Sequence, residues 1–509
     1  MSSAPASPFR YLVILACISA CGGGGDGDDD EFGAFPGVNV PANFVFERVI
    51  GGLTYPTAVA WDDQGLLYVL EAGGQFLDEP VPARLLRVEG GIATPILDLE
   101  SQGIASAAVG LAWHDGGFYV THRSPADRSG SVSKVALNGT VTTVLTGFND
   151  SQGEHQINDV RVGPDGRVYV CVGPATNSGV VGIDLAPFVT LSPDVHATPC
   201  QPIVLTGQNY ETPDFRTADQ SDTVLTGAFV PFGVATTPGE LVPGSARCGS
   251  AIHSFDPTSP AQSLGLVAWG LRNVIGIAWG STGDLYASVN GYDVRGSRPF
   301  ADVVEPTYRI VPGAWYGFPD FSSRFDPITD PKFDVANSLK AAVVVGGQPM
   351  GKDLTFVIDH AASGLSTPNP SVLVGEHAIN SSPSKLDVAP ASWGSFAGHL
   401  FVAEWGDLAP ATTPLQDGTP GYRVVRIDPN IAGAVASFLE NETPGPGSGH
   451  GMAGQALERP FDVRFGPDDA MYVVDFGIAR VNPARVAMGQ VPYEFPPQSG
   501  AIWRVRRVP

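Results

Sequence analysis

The stretch FDVRFGPDDAMYVVDFG, residues 461–477, is a short apolar strand, a Gly-Pro-Asp turn and an aromatic-Val strand. It has close copies upstream. NDVRVGPDGRVYVCVG (158–173) and TAVAWDDQGLLYVLEAG (57–73) repeat it most clearly. VGLAWHDGGFYVTH (109–122), IGIAWGSTGDLYASVNG (275–291) and LDVAPASWGSFAGHLFVAEWG (386–406) follow the same plan. Period-2 alternation around Asp/Gly turns is β-hairpin chemistry. Most copies are followed by a third strand with a basic residue: RLLRV (84–88), VSKV (132–135), TYRI (307–310), VVRI (424–427) and IWRV (502–505). SAIHSF (250–255) takes that place after the third copy. Six repeated antiparallel units predict an all-β fold, a six-bladed β-propeller. Outer strands are weaker, as in ATPILDL (93–99) and VTTVLTG (141–147). The sixth unit stops at its third strand. NFVFERVI (43–50) can supply the missing fourth and close the ring with an N-terminal strand, which leaves no sheet edge open.

In this topology the loops between second and third strands share a face with the connections between blades. Those loops are long: 174–249 in blade three, 291–306 in blade four, 407–421 in blade five and 478–499 in blade six. The stretch 320–385, read as the link from blade four to blade five, is long as well. Long loops on one face mark the expected cleft. Polar residues gather at that end: Gln102, Glu154, His155, Gln156, Arg272, Asn273 and Arg459 before first strands. Glu71, His122, Glu404 and Asp475 follow second strands. Glu404 and Asp475 also suit turn capping, His122 a surface place, and Arg459 an ion pair. An imidazole at such a mouth can act as general base, and a guanidinium such as Arg272 beside it can stabilise a developing anion.

The chain of 509 residues exceeds a single simple domain. Asp and Glu number 52 against 29 Lys and Arg, a surplus of 23 negative charges that argues against a nucleic-acid partner. The first twenty residues carry Arg10 and the apolar run 11–18, too short for a membrane span and suited to a signal peptide. Ile18-Ser19-Ala20-Cys21 resembles a bacterial lipobox, with Cys21 the lipidated residue. The expected organisation is therefore a lipoprotein signal peptide over 1–20, a flexible Gly/Asp tether over 21–42 and a propeller over 43–509. The expected location is the bacterial cell envelope, lipid-anchored at the outer membrane, because Gly22 is not the retaining Asp. An exported chain permits a disulfide. Cys200 and Cys248 share a loop-rich stretch while Cys171 sits in an apolar strand, so Cys200–Cys248 is the expected bond, although spacing leaves other pairings open. No C-x-x-C or C-x-x-C-H occurs, which removes redox-dithiol and c-haem readings.

Gly270-Leu271-Arg272-Asn273 followed by Gly276-Ile277-Ala278-Trp279 resembles the signature of the soluble pyrroloquinoline quinone (PQQ) glucose dehydrogenase and glucose/sorbosone dehydrogenase family. Glu154-His155-Gln156 is similar to its catalytic histidine segment. Arg295-Gly296-Ser297-Arg298-Pro299 and Trp315-Tyr316-Gly317-Phe318-Pro319 resemble its fourth blade and calcium loop. The resemblance runs from about Val49 to Val505. It implies oxidation of a sugar or aldose hydroxyl by hydride transfer to PQQ, with His155 as base and Glu154 as its partner. It implies cofactor contacts from Arg272, Asn273, Gln102 and Arg459. Calcium would be held by carbonyls near Gly291 and Tyr292, with Glu305 and Tyr316 at a neighbouring site. Electrons would leave to an external acceptor such as a cytochrome or the quinone pool. Departures are specific: Val274 replaces Pro, Glu154 replaces Asp, Pro306 replaces an acid, and Phe461 stands where a second Arg is expected. Glu404-Trp405-Gly406-Asp407 lacks the family's Lys.

Two rival readings use the same residues. A calcium-dependent, lactonase-like hydrolase needs a carboxylate cage on the axis, which Glu71, Glu404 and Asp475 could supply. A non-catalytic lipoprotein that binds carbohydrate or protein would use loop aromatics such as Phe215, Phe321 and Phe325, which otherwise pack the loops onto the barrel.

Overall fold

An aspartate sits in the turn of three of the six hairpins and ties it to the following strand. Asp165 accepts the Arg167 N–H and the Tyr169 hydroxyl; Asp468 does the same with Ala470 and Tyr472. Asp62 binds Leu66 N–H and the Tyr68 hydroxyl. The carboxylate satisfies turn amides and pins the tyrosine, so each hairpin forms from local chemistry. The computed structural model describes residues 35, 37–74, 81–219, 221–408, 419–482, 484–485 and 493–508. The signal peptide, Cys21 and the tether through residue 34 lie outside the described residues.

Six four-stranded antiparallel sheets follow in chain order, and all six hairpins are present. Blade one is Pro56–Trp61, Leu67–Glu71, Arg84–Glu89 and Ile92–Asp98. Blade two runs from Leu111–His114 to Val141–Phe148 and blade three from Ile157–Val162 to Gly265–Trp269. Each innermost strand lies against that of the next blade, and the sixth lies against the first. Phe44–Leu53 pairs antiparallel with Gly500–Arg507 and completes blade six. Val38–Asn39, expected in the tether, instead adds a fifth strand to blade five, and Phe35 packs on the core beside it. Among the described residues no helix is long and apolar enough to cross a membrane.

The stretch 320–385 differs from expectation. It does not simply link blades four and five, because Leu373–His377 inside it is the outer strand of blade four, paired with Glu305–Arg309. The inserted chain therefore leaves between third and fourth strands, on the face opposite the cleft. It then turns back. Gly313 N–H binds Val267 O, Tyr316 N–H binds Trp269 O and Phe318 N–H binds Gly270 O, so 313–318 runs parallel to the outer strand of blade three and returns to the cleft face. Gly270 makes this approach possible: a Cβ there would sit 2.2 Å from Trp315 Cδ1. The insertion then joins the one in blade three. Gln208–Pro213 pairs with Thr223–Gly227 on one side and with Ala342–Val345 on the other. Cys200 and Cys248 are bonded and close a loop over the second part of the blade-three insertion. Phe215 stacks on Phe232, Phe325 on Tyr308, and Phe321 on Phe356, so these aromatics pack the loops.

A buried ion cluster fills the axis. Lys385, on the first strand of blade five, is fully buried. Its amine donates to Thr57 O of blade one at 3.0 Å and to Val109 O at the start of blade two at 2.5 Å. It lies 3.6 Å from Asp159 of blade three and 3.9 Å from Asp462 of blade six. Arg464 of blade six binds Asp159 at 2.9 Å, and Arg161 of blade three reaches Ile277 O of blade four and Asp387 of blade five. Burial opposes the charged form of Asp159, yet Arg464 and Lys385 hold its carboxyl below the usual range. Every first strand is thus tied to this cluster. Lys385→Met keeps the volume but leaves Asp159 and Asp462 with one cation fewer. The expected loss is about 3–5 kcal/mol, read as a lower denaturation midpoint; an unchanged midpoint would contradict the role given to the cluster.

Candidate functional site

A cavity of about 300 Å³ opens on the loop-rich face, lined from blades three, four, five and six. Glu154, His155 and Asn158 come from the start of blade three, Arg272 and Asn273 from the start of blade four, and Asp293 and Arg295 from its long loop. Glu305, Ser382, Ser384 and Asp407 line it too, with Trp405, Phe461 and Tyr493 as aromatic walls.

His155 is held in one tautomer. A backbone carbonyl can only accept, so the 2.9 Å contact to Pro174 O puts the proton on Nδ1 and leaves the lone pair on Nε2. The ring is 11% exposed. Burial lowers its pKa to about 4, with Glu154 opposing and Arg272 and Arg295 adding to the shift. Near neutral pH the imidazole is uncharged. Glu154 Oε2 lies 3.7 Å from Nε2, on the reactive side rather than behind the ring, so the orienting partner of His155 is Pro174 O.

The charged groups form one network. Arg272 donates through Nη2 to Asn177 Oδ1 at 2.7 Å and Asp293 at 2.9 Å, and through Nε to Asn177 O. Nη1 makes none of these bonds. Arg295 binds Asp184 at 2.9 Å, Asp293 at 3.0 Å and Glu154. Both arginines hold the Asp293 carboxyl below its usual range against the effect of burial. Asn177 and Asp184 belong to the first part of the blade-three insertion, ahead of the disulfide-closed loop, so that segment completes the site. A chain of amides runs beside it. Asn158 donates to Asn273 Oδ1, Asn273 to Asn290 Oδ1, and Asn290 to Pro383 O of blade five. Glu305 is buried and accepts the Gly291 and Ser382 N–H groups. Burial nevertheless raises its pKa to about 8.

The structure brings Glu154, His155, Arg272, Asn273, Gly291 and Glu305 together and leaves others out. Gln102 is exposed in a short 3₁₀ turn, where its side-chain amide donates to Ser101. Arg459 is buried between Trp405 and Tyr422 and donates to the carbonyls of Trp405, Gly406 and Asp407; it shapes the cavity wall without lining it. Tyr292 is buried and its hydroxyl donates to Phe321 O. Tyr316 closes on Arg309 O and the Val311 N–H, at the far end of its sheet. Glu71, Glu404 and Asp475 form no axial cage. Each is buried and bound away from the axis: Glu71 with Arg84 of its own blade, Glu404 with Arg423 of its own blade and His377 of blade four, and Asp475 with the Glu458 and Arg459 N–H groups. His122 is buried, bound to Arg123 O and Ser133, not on the surface. Among the described residues no group of three or more His, Cys, Asp or Glu side chains is arranged to hold a metal ion. Asn177, Asp184 and Asp293 were not foreseen; the first two lie in an insertion without repeat signal.

Neither a protein-family model nor a curated protein matches the sequence. Solved structures do. The calcium structure of the Trichoderma reesei carbohydrate-active enzyme of family AA12 is 14% identical, covers 93% of this chain and 97% of its own, and superposes with a TM-score of 0.52. The holo form of the pyranose dehydrogenase PQQ domain from Coprinopsis cinerea is 14% identical over 92% and 97%, with a TM-score of 0.50. The PQQ-bound aldose sugar dehydrogenase from Streptomyces coelicolor is 16% identical over 92% and 99%, at 0.48. At these identities the first two likenesses establish the fold alone.

Burial raises Glu305 to about 8, Asp150 to about 7 and Glu458 to about 7. Free carboxyls titrate near about 4, so from there to pH 8 these three groups bind more protons in the folded chain than in the unfolded one. Stability then falls as pH rises through this window. The buried histidines act oppositely but only up to about pH 6.5, the free imidazole value. The thermal midpoint at pH 8 should therefore lie below that at pH 6.5, and Glu305→Gln should flatten the difference. A midpoint that climbs over this range would refute the assignment.

Proposed function

We propose that this chain is a quinone-dependent dehydrogenase that oxidises a hydroxyl of a sugar or aldose. The observation that carries the reading is the neutral His155, its Nε2 lone pair open to a cavity that also receives the Arg272 guanidinium. The aromatic walls suit a flat ring. Arg272 Nη1 and the Asn273 amide suit its carbonyl oxygens. The tricarboxylate of PQQ meets a different environment, because Glu154, Asp293, Glu305 and Asp407 also line the cavity. Such oxygen donors would suit calcium, whose charge would offset the repulsion. The lining thus fits the quinone and the cation together, not the anion alone. Glu305 and the chain at Gly291 would hold the cation.

When bound, the quinone with its calcium supplies the acceptor for the hydride that leaves the substrate carbon. His155 Nε2 takes the hydroxyl proton and becomes an imidazolium. Glu154, 3.7 Å away, stabilises that cation. Arg272 places positive charge where an oxyanion forms. Trp405, Phe461 and Tyr493 exclude water. An external electron acceptor completes the turnover. Export and lipid attachment at Cys21 would put the enzyme in the cell envelope, at the outer membrane.

Titrating residues 33–509 with PQQ tests the reading. Saturable binding is expected with calcium and is expected to weaken at least tenfold in chelator. Aldose-dependent bleaching of the bound cofactor should drop roughly 100-fold or more in His155→Ala, the scale of lost acid–base catalysis. Failure to bind at high micromolar PQQ with calcium would sink it in favour of a carbohydrate-binding role. In cells, radiolabelled palmitate should enter the full chain and be lost in Cys21→Ser; equal labelling of both would remove the anchor.

A further inference from the structure

We propose that Arg123 and Arg128 form a binding site for a small oxyanion, a phosphate or a carboxylate, where blade two meets blade three. Arg123 ends the second strand of blade two, Gly117–Arg123, and is 1% exposed. Its Nε donates to Ser151 O at 2.8 Å and its Nη2 to Gly153 O at 3.1 Å. Its Nη1 is buried and makes no hydrogen bond among the described residues. Arg128 follows in the loop to the third strand. That loop folds back on itself: Arg128 N–H binds Ser124 O at 2.8 Å and Ser124 N–H binds Ser129 O at 2.7 Å. The Nε and Nη2 of Arg128 are buried as well, again with no hydrogen bond among the described residues. Two cations are thus left with donors to spare inside the protein.

A buried charge is costly unless it is paired. This chain has 23 surplus negative charges, yet the carboxylates of the neighbouring segments are engaged elsewhere. Asp127 accepts the Ser129 N–H and hydroxyl. Asp150 accepts the Ala175 and Thr198 N–H groups, and Glu154 is bound by Arg295. Burial opposes the charged form of both arginines, and at Arg123 the Arg128 charge adds to it, so the two guanidiniums are neighbours that repel. An anion beside both reverses that repulsion. The free donors decide its class. Nε and Nη2 share one edge of the guanidinium fork, and two parallel N–H groups match two oxygens of a carboxylate or phosphate; a halide accepts at a single point. Arg123 Nη1 supplies a further donor. Neither arginine lines the cavity that holds His155, so the site is separate from it and adjoins it only through Gly153, the residue before Glu154. The proposal does not depend on the dehydrogenase reading.

The test is a calorimetric titration of the cofactor-free chain with inorganic phosphate at fixed ionic strength. One saturable site is expected. Arg128→Gln alters a half-buried side chain in a loop and should weaken binding about ten- to a hundredfold, the worth of hydrogen bonds to a charged group. Arg128→Lys keeps the charge without the fork and should weaken it by less. Phosphate can also reach the guanidinium in the cavity, so Arg272→Gln is titrated beside them and should leave the affinity unchanged. Acetate separates the two sources of oxyanion: competition with phosphate shows a site that takes carboxylates too, and its absence a site for phosphate, either of which upholds the class. Chloride that displaces phosphate at equal concentration overturns it. No saturable binding to the parent chain overturns the proposal, as does equal affinity in the parent and Arg128→Gln, or binding lost only in Arg272→Gln. Arg123→Gln should abolish binding; should it fail to fold, Arg128→Gln decides alone.

Discussion

Six sheets can meet around an axis only if their first strands agree in height and rotation, and here a buried set of charges enforces that agreement. Lys385, Arg161 and Arg464 face Asp159, Asp387 and Asp462, and between them they reach the first strand of every blade. Three cations against three carboxylates leave no net charge, so the cluster can be dry. A single ammonium bound to carbonyls from blades one and two allows little sliding. Apolar packing would tolerate small shifts between blades; directional bonds to fixed carbonyls do not. Such a cluster contributes alignment more than net stability, since burial offsets much of its attraction.

The cavity inherits this alignment. Phe461, which forms part of its wall, lies with its ring 5.4 Å from the Lys385 amine, so the axial charges sit directly beneath the site. Above them the logic is repeated with side chains from loops. Arg272 and Arg295 are matched by Glu154, Asp184 and Asp293, while burial holds His155 neutral beside them. The blade-three insertion reaches in to supply Asn177 and Asp184. The second insertion shares a sheet with it and steadies it from outside.

The hairpins were legible because their turn chemistry is local: an aspartate, a glycine and a tyrosine within a few residues. The closing strand was legible because the sixth repeat lacked a partner. The outer strand Leu373–His377 was not, because it follows an insertion without period and its pairing with Glu305–Arg309 is non-local. His155, Arg272 and Asn273 were found through motifs that lie beside first strands, where backbone position fixes side-chain position. Arg459 lies in the same place in sequence, yet two aromatic rings and three carbonyls draw its guanidinium out of the cavity wall. Spacing reports where a Cα is, not where the seven side-chain atoms beyond it point. The axial cluster did leave a trace: Asp159-Val160-Arg161 in blade three and Asp462-Val463-Arg464 in blade six are the same charged tripeptide in otherwise apolar strands.

Closure of the ring has a consequence in time. Glu47, in the closing strand, binds Arg504, 457 residues later. Folding rates fall as contacts become more distant in sequence, because loop entropy is lost before pairing returns anything. A nascent chain can therefore form blades one to five as local hairpins while Phe44–Leu53 waits without its partner. Until Gly500–Arg507 is made, blade six lacks its third strand and the closing strand has nothing to pair with. Closure of the ring is thus the last pairing to form, and a chain truncated before Gly500 would leave Phe44–Leu53 without its partner.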